Sequence, residues 1–272
     1  MSELGSRRLE NRVAFVSGGV RGIGLAVVER FVLEGAAVVL SDLDAEGSPV
    51  VEAVLSRLDG AASYVRADVS VEKDWSGARD FVESKHGRLD ILVNNAGMGV
   101  AGKVEALTLD EWRRQMAVNV DGTFLGTKYF IPLMARPQAD APRGASIINV
   151  SSIAGMVGYS ETSAYCASKG AIRTFTKCVA VEMAARKLPI RVNSIHPGYV
   201  RTPFLDTGFQ RWVDQGMGES VDALIGNVSA ATPMGRLADP SEIAGAAFFL
   251  ASDDSSYMTG SELVVDGGWT AQ

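Results

Sequence analysis

Tyr165 and Lys169 stand four residues apart in the segment YCASK, within a stretch whose apolar spacing predicts a helix over 163–186. Positions i and i+4 share one helix face, so the ammonium lies near the phenol. A free tyrosine ionises near pH ~10, and a neighbouring positive charge favours the phenolate. A phenol tuned in this way can give a proton to a carbonyl oxygen, or take one from an alcohol, near neutral pH. The pattern Y-x-x-x-K is common on solvated helix faces, so its weight depends on what surrounds it.

A second constellation is SGGVRGIG, residues 17–24, where Gly18, Gly22 and Gly24 fall between a predicted strand and a predicted helix. Glycine permits a tight turn and lets a pyrophosphate approach the helix N-terminus, whose free N–H groups and dipole favour anions. Asp42 follows the second predicted strand, where a carboxylate can hydrogen-bond the adenosine ribose; a solvated acid at a strand end is the plainer reading. Asp68 and Val69 after the third strand, and Asn94, Asn95, Ala96 and Gly97 after the fourth, fit the same crevice. Ligands in open parallel sheets bind at the carboxyl ends of the strands.

The elements that must carry these residues follow from the pattern of apolar runs. Strands are predicted over 12–17, 37–41, 63–66, 89–93, 146–150, 190–195 and 262–265. Helices are predicted over 23–34, 45–58, 72–86, from Thr108 to about Met134, and over 163–186. Another starts at Asp239, with Pro240 at its first position and Glu242 three residues after the cap. Strands apolar throughout, alternating with helices, imply a parallel sheet covered on both faces. That is a doubly wound, Rossmann-type α/β fold of about seven strands, a single domain over 1–272. Between Pro203 and Pro233 no strand is predicted, and Phe204, Leu205, Phe209, Trp212, Met217 and Leu224 are scattered among glycines and charges. The segment 203–233 is expected to be an irregular substrate loop or lid, with a pair of short surface helices as the alternative.

Composition excludes several function classes. With 47% hydrophobic and 21% charged residues the chain is globular, and its net charge of -6 gives no support to a nucleic-acid or anionic-membrane partner. The N-terminal MSELGSRRLENR lacks the apolar region of a secretory signal, and no apolar run approaches the ~20 residues that span a bilayer. A cytoplasmic location is expected. Cys166 and Cys178 fall in one predicted helix, ~18 Å apart at 1.5 Å per residue. That is beyond the ~7 Å reach of a disulfide, so two buried, reduced thiols are expected. Neither H-E-x-x-H nor C-x-x-C occurs, so no catalytic metal is expected. Ser151 and Ser152 are not in G-x-S-x-G, and of the two histidines, His86 and His196, the latter reads as structural. A serine hydrolase is disfavoured.

Taken together, SGGVRGIG, NNAG, NVSS, YCASK, HPG and VDGG, in this order and spacing across nearly the whole chain, resemble the short-chain dehydrogenase/reductase family. The resemblance implies an oxidoreductase moving a hydride between a nicotinamide cofactor and a secondary alcohol or ketone. Position by position it gives Asn119, in MAVNV, the asparagine that holds an ordered water in a proton relay with the lysine. Ser152 matches the serine that orients the substrate oxygen. Tyr165 is the acid/base, and Lys169 lowers its pKa and binds the nicotinamide ribose. Pro197, Gly198, Val200 and Thr202 match the segment that fixes the carboxamide. The cofactor contacts become Gly18, Arg21, Gly22, Ile23, Gly24, Asp42, Asp68, Val69, Asn95, Ala96 and Gly97, with Tyr165 and Lys169. Ser17 stands where the family usually has threonine and keeps the hydroxyl. The complete catalytic set argues against a redox-sensing, cofactor-binding protein without turnover. The short part after YCASK favours a simple dehydrogenase over an epimerase or dehydratase. Members of the family are commonly homotetramers, and GAAFFLAS and VVDGGWTAQ suit either an interface or a core.

Two charges bear on which dinucleotide is used. Arg21 points to NADP, because relatives that prefer it often carry a basic residue there, whereas Asp42 points to NAD. A 2′-phosphate facing the Asp42 carboxylate at ~4 Å costs about 4 kcal/mol per unit-charge pair at an effective dielectric of 20. An exposed arginine returns about 0.2–1 kcal/mol as an ion pair. Repulsion wins, and NAD is expected. The apolar, aromatic and methionine content of 153–162 and 203–233 suggests a hydrophobic substrate of cyclic, alicyclic or steroid-like shape, with Glu161 and Tyr199 adding polar contacts. Sugars and acyl thioesters remain open, because fold does not fix substrate.

Overall fold

The computed structural model of the chain describes residues 7–136 and 143–272. The first six residues of the segment read above against a secretory signal lie outside the described residues. Seven strands follow the apolar runs: β1 (Val13–Ser17), β2 (Ala37–Asp42), β3 (Ala62–Arg66), β4 (Ile91–Asn94), β5 (Ala145–Val150), β6 (Ile190–Pro197) and β7 (Glu262–Val265). They form one parallel sheet in the order β3-β2-β1-β4-β5-β6-β7. The chain winds outward in both directions from the β1–β4 pair, so the strand order reverses there and opens a crevice at the carboxyl ends of β1 and β4.

β1, β4, β5 and β6 are buried along their whole length, as strands covered on both faces must be. Alternate side chains feed two cores. Ala14, Val16, Ile91, Val93 and Ile148 pack against Val27, Val28 and Phe31 of α1 (Gly22–Leu33), Val51 and Val54 of α2 (Pro49–Arg57), and Ile243, Ala247 and Phe248 of α9 (Pro240–Ala251). Phe15, Leu92, Ile147 and Val192 face Trp75 and Val82 of α3 (Glu72–His86), Phe130 and Leu133 of α5 (Gly122–Met134), and Val179 and Met183 of α6 (Ser163–Ala185).

Local signals set most of the helix starts. Thr108 and Glu111 close a reciprocal cap at the head of α4 (Leu109–Met116), and Asp239 and Glu242 do the same for α9. The helix expected from Ala45 starts at Pro49 instead. Proline favours the first helical position and keeps the residue before it out of the helical region, and Ser48 is extended at ψ 150. The segment expected to be irregular, 203–233, is in fact two helices, α7 (Pro203–Asp214) and α8 (Val221–Ala231). The Thr202 hydroxyl caps α7 and the Ser220 hydroxyl caps α8, and they bury Phe209 and Ile225.

Both cysteines are free and lie on α6, but only Cys166 is even half-buried. Cys178 is exposed, against expectation. The buried stripe of α6 runs through Lys169, Ile172, Thr176, Val179, Ala180 and Met183, and Cys178 falls on the opposite face with Lys177 and Val181. No helix among the described residues is long and apolar enough to cross a membrane.

Candidate active site

The glycine turn is built by the residues around it. Gly18 has φ +67, and a Cβ there would lie 3.0 Å from Ala96 Cα and from Asn95 Nδ2. A Cβ on Gly24 would stand 1.9 Å from the Gly18 carbonyl oxygen, so this turn has no room for a side chain there. Asn95 Nδ2 donates to the Ser17 and Gly18 carbonyls at 2.9 and 3.1 Å, and Ser17 Oγ accepts from Asn95 N and Ala96 N, each at 3.1 Å. The serine hydroxyl thus ties β1 to β4 across the crevice. Gly22 opens α1 beside Thr202, and among the described residues no side chain caps that helix. Its first N–H groups are left for an anion.

At the end of β2, Asp42 Oδ1 accepts from Leu43 N at 2.9 Å and Oδ2 lies 3.4 Å from Val20 N. The carboxylate therefore sits against the glycine turn. Arg21, half-exposed, pairs with Asp44 at 2.7 Å. The Tyr64 hydroxyl steadies this corner by donating to the Asp42 and Asp44 carbonyls at 2.9 and 2.5 Å. Asp68 Oδ1 accepts from Ser70 N and Oγ at 2.9 and 2.6 Å, which shapes the entry to α3, and Val69 is buried against Gly122.

The residues expected to handle the proton meet at the opposite side of the crevice. Ser152 follows β5, Tyr165 and Lys169 share the face of α6 turned toward it, and Pro197 and Gly198 leave β6. Lys169, 4% exposed, donates from Nζ to the Val150 carbonyl at 2.8 Å and lies 5.7 Å from the centre of the Tyr165 ring. Burial pulls the ammonium down to about 8. Burial also pushes the Tyr165 phenol up to about 12, with the Ser152 hydroxyl working in the opposite direction. The lowered tyrosine expected from the i, i+4 spacing is not found in this arrangement, because desolvation of the phenol, reinforced by Cys166, outweighs the Ser152 hydroxyl.

Asn119 lies in a π turn, Ala117–Asp121, that joins α4 to α5; at its end the Gly122 N–H reaches back five residues to the Ala117 carbonyl. The Asn119 side chain accepts from Met98 N at 2.9 Å and donates to Met98 O and to Ser168 Oγ, each at 3.0 Å. Ser168 Oγ in turn donates to the Tyr165 carbonyl at 2.8 Å. Asn119 and Lys169 flank Gly97, where a Cβ would be 3.4 Å from Asn119 Oδ1 and 3.6 Å from Lys169 Nζ.

Gln115 was not singled out from the sequence, yet it is fully buried one helical turn before Asn119 and grips the same loop. Its Oε1 accepts from Val100 N at 2.7 Å and its Nε2 donates to Met98 O at 2.6 Å. The available signal was its place four residues before Asn119, on the same helix face.

Phe204 of α7 stands 6.3 Å from the Tyr165 ring and close to Gly99, whose carbonyl accepts from Arg211 at 2.9 Å. Tyr159, Tyr199 and Trp269 form an aromatic corner, with Tyr199 and Trp269 centroids 4.9 Å apart. Gly198 N donates to Val265 O at 2.9 Å, while Val200 and Thr202 are buried. A glycine turn with no space for a Cβ, an uncapped helix, a carboxylate at the β2 end and a buried ammonium form a set that fits a dinucleotide.

Comparison with known proteins agrees with this geometry. A family model described as enoyl-(acyl carrier protein) reductase matches residues 18–270. The chain is 41% identical over 269 residues to an NADP-dependent (R)-specific alcohol dehydrogenase of Lentilactobacillus kefiri, covering 97% of this chain and 99% of the relative. It is 43% identical over 267 residues to a 3-alpha-(or 20-beta)-hydroxysteroid dehydrogenase of Mycobacterium bovis, covering 98% of this chain and 92% of the relative. Among solved structures it resembles Thermoplasma acidophilum aldohexose dehydrogenase in ligand-free form, with a TM-score of 0.85 and 31% identity over 98% of this chain and 97% of the other.

Proposed function

The chain belongs to the short-chain dehydrogenase/reductase family, and from that premise we propose that it transfers a hydride between NAD(H) and a hydrophobic secondary alcohol or ketone. The observation that carries this reading is the convergence of Ser152, Tyr165 and Lys169 at the carboxyl ends of the strands, across the crevice from the glycine turn. The dinucleotide, when bound, supplies the hydride donor or acceptor. Gly18, Arg21, Gly22, Ile23 and Gly24 would hold its pyrophosphate side, Asp42, Asp68 and Val69 its adenosine side. Asn95, Ala96, Gly97, Lys169, Pro197, Gly198, Val200 and Thr202 would hold its nicotinamide half.

Tyr165 is the general acid/base. In reduction its phenol gives a proton to the substrate oxygen that Ser152 orients, and the Lys169 ammonium stabilises the phenolate left behind. In oxidation the same proton moves from the alcohol to the phenolate. Asn119 and Gln115 hold the Met98–Val100 backbone, which would form the floor beneath the substrate.

The aromatic corner of Tyr159, Tyr199 and Trp269, with Phe204 beside Tyr165, supports a cyclic, alicyclic or steroid-like substrate. Helix α7 acts as a lid, latched by Arg211 on Gly99 O. The preference for NAD is supported by Asp42 at the glycine turn and by the Asp44 carboxylate that already occupies Arg21. The NADP-dependent relative favours the alternative dinucleotide. A homotetramer is the assembly that the family resemblance implies, and exposed Phe124, Val181 and Val264 offer apolar surface for a subunit contact.

The test is a panel of alicyclic and steroid ketones and alcohols assayed with each nicotinamide cofactor. Turnover of at least one, with higher kcat/KM on NAD(H), is expected; higher efficiency on NADP(H) would overturn the cofactor assignment.

A further inference from the structure

His196 lies on β6, wholly buried, one residue before Pro197 and Gly198. Its Nδ1 is 3.1 Å from the Ser152 carbonyl oxygen and its Nε2 is 2.9 Å from Ser194 Oγ. A carbonyl oxygen only accepts, so Nδ1 carries the proton and donates. In the neutral ring Nε2 is then bare, and the Ser194 hydroxyl donates to it. Burial holds the imidazole below its ordinary pKa; the Ser152 carbonyl and Glu262 oppose this, while Arg173 and Lys169 reinforce it. With both nitrogens engaged, the ring has one tautomer and one orientation.

The bond to Ser152 comes where the sheet stops holding that residue. The last ladder bond between β5 and β6 runs from Ser151 N to Ile195 O at 2.9 Å. Beyond it the His196 side chain continues the connection by reaching the next carbonyl. That carbonyl also accepts from Gly155 N at 2.9 Å, and Ser152 Oγ accepts from Ala154 N at 3.1 Å. The serine backbone is thus fixed from the turn on one side and from the imidazole on the other.

We propose that His196 is a positioning residue: as the neutral Nδ1–H tautomer it aims Ser152 at the substrate oxygen and couples that serine to the Pro197–Gly198 segment. The inference rests on the role given above to Ser152.

The test combines nitrogen-15 spectra of histidine-labelled protein with kinetics. The chain has two histidines, so substituting His86 assigns the signals. His196 is expected to show a protonated Nδ1 and a bare Nε2 at neutral pH; a protonated Nε2 overturns the proposal. His196→Asn keeps an N–H at the place of Nδ1 and is expected to hold kcat within about threefold. His196→Leu removes it and lowers kcat about tenfold or more, with KM changed less. A folded His196→Leu protein with unaltered kcat, or an equal loss in both variants, contradicts the proposal. Should the leucine variant not fold, Ser194→Ala carries the test. It removes the donor to Nε2 while the Ser152 carbonyl still holds the Nδ1 proton, so the signal of the bare Nε2 shifts as its hydrogen bond is lost and kcat falls several-fold, and an unchanged spectrum and rate count against the idea. Failure of the reaction assignment itself reads out separately, as turnover that survives loss of the Tyr165 hydroxyl.

Discussion

The Lys169 ammonium is buried 5.7 Å from the centre of the Tyr165 ring, with Val150 O as acceptor at 2.8 Å. A cation in such surroundings is costly, and the chemistry proposed for it accounts for its being kept there. The pair therefore links catalysis to stability and to pH.

Lys169→Met is expected to abolish turnover while raising stability by on the order of 1–3 kcal/mol at neutral pH. The folded protein holds this lysine at about 8 against the ordinary 10.5, so in the pH range between them the unfolded chain binds more protons and wild-type stability rises with pH. The advantage of the methionine variant is full below pH 8 and fades above it. Calorimetry of both proteins at pH 7 and pH 10 checks this; an advantage independent of pH would contradict it.

The phenol, pushed up to about 12, holds its proton at neutral pH. Ketone reduction uses that protonated form and is expected to keep its rate from about pH 6 to 8. Alcohol oxidation uses the phenolate and is expected to accelerate as pH rises through the same range. Initial rates in both directions measure the difference, and a reduction rate that climbs with pH would count against it.

Asp42→Ser is expected to lower the NAD over NADP preference about tenfold or more, by removing the carboxylate that opposes a 2′-phosphate. Adding Asp44→Asn releases Arg21 and is expected to improve NADP binding further. Dissociation constants for the two oxidised cofactors, read by tryptophan fluorescence, decide the point.

Gln115→Leu leaves the Val100 N–H without its acceptor and is expected to cost about 1–3 kcal/mol of stability. Because Met98 O keeps its bond from Asn119, KM for the substrate should rise more than kcat falls. Denaturant titration and steady-state kinetics report the two effects separately.

Much of this was legible in the residues themselves. Apolar runs located all seven strands, and Thr108 and Asp239 marked helix starts by chemistry that acts within a few residues. Helix α2 starts later than the pattern implies because Pro49 overrides the helical periodicity that begins at Ala45. Helices α7 and α8 were hidden because their buried side chains are few, although the Thr202–Pro203 pair is itself a helix start. The grip of Gln115, and the bonds of His196 to Ser152 and Ser194, depend on where the fold brings distant backbone. No local pattern announces them. The raised phenol had the same origin: spacing placed Lys169 beside Tyr165, but only packing set how dry the site is.

Tyr165 is proposed to move the proton in the hydride-transfer reaction, and Tyr165→Phe, assayed for turnover on a responsive ketone and for NADH binding by fluorescence, isolates that role. Turnover should fall by at least about a thousandfold while the dissociation constant for NADH changes by less than about threefold. Substantial turnover in the phenylalanine variant would mean that another group moves the proton.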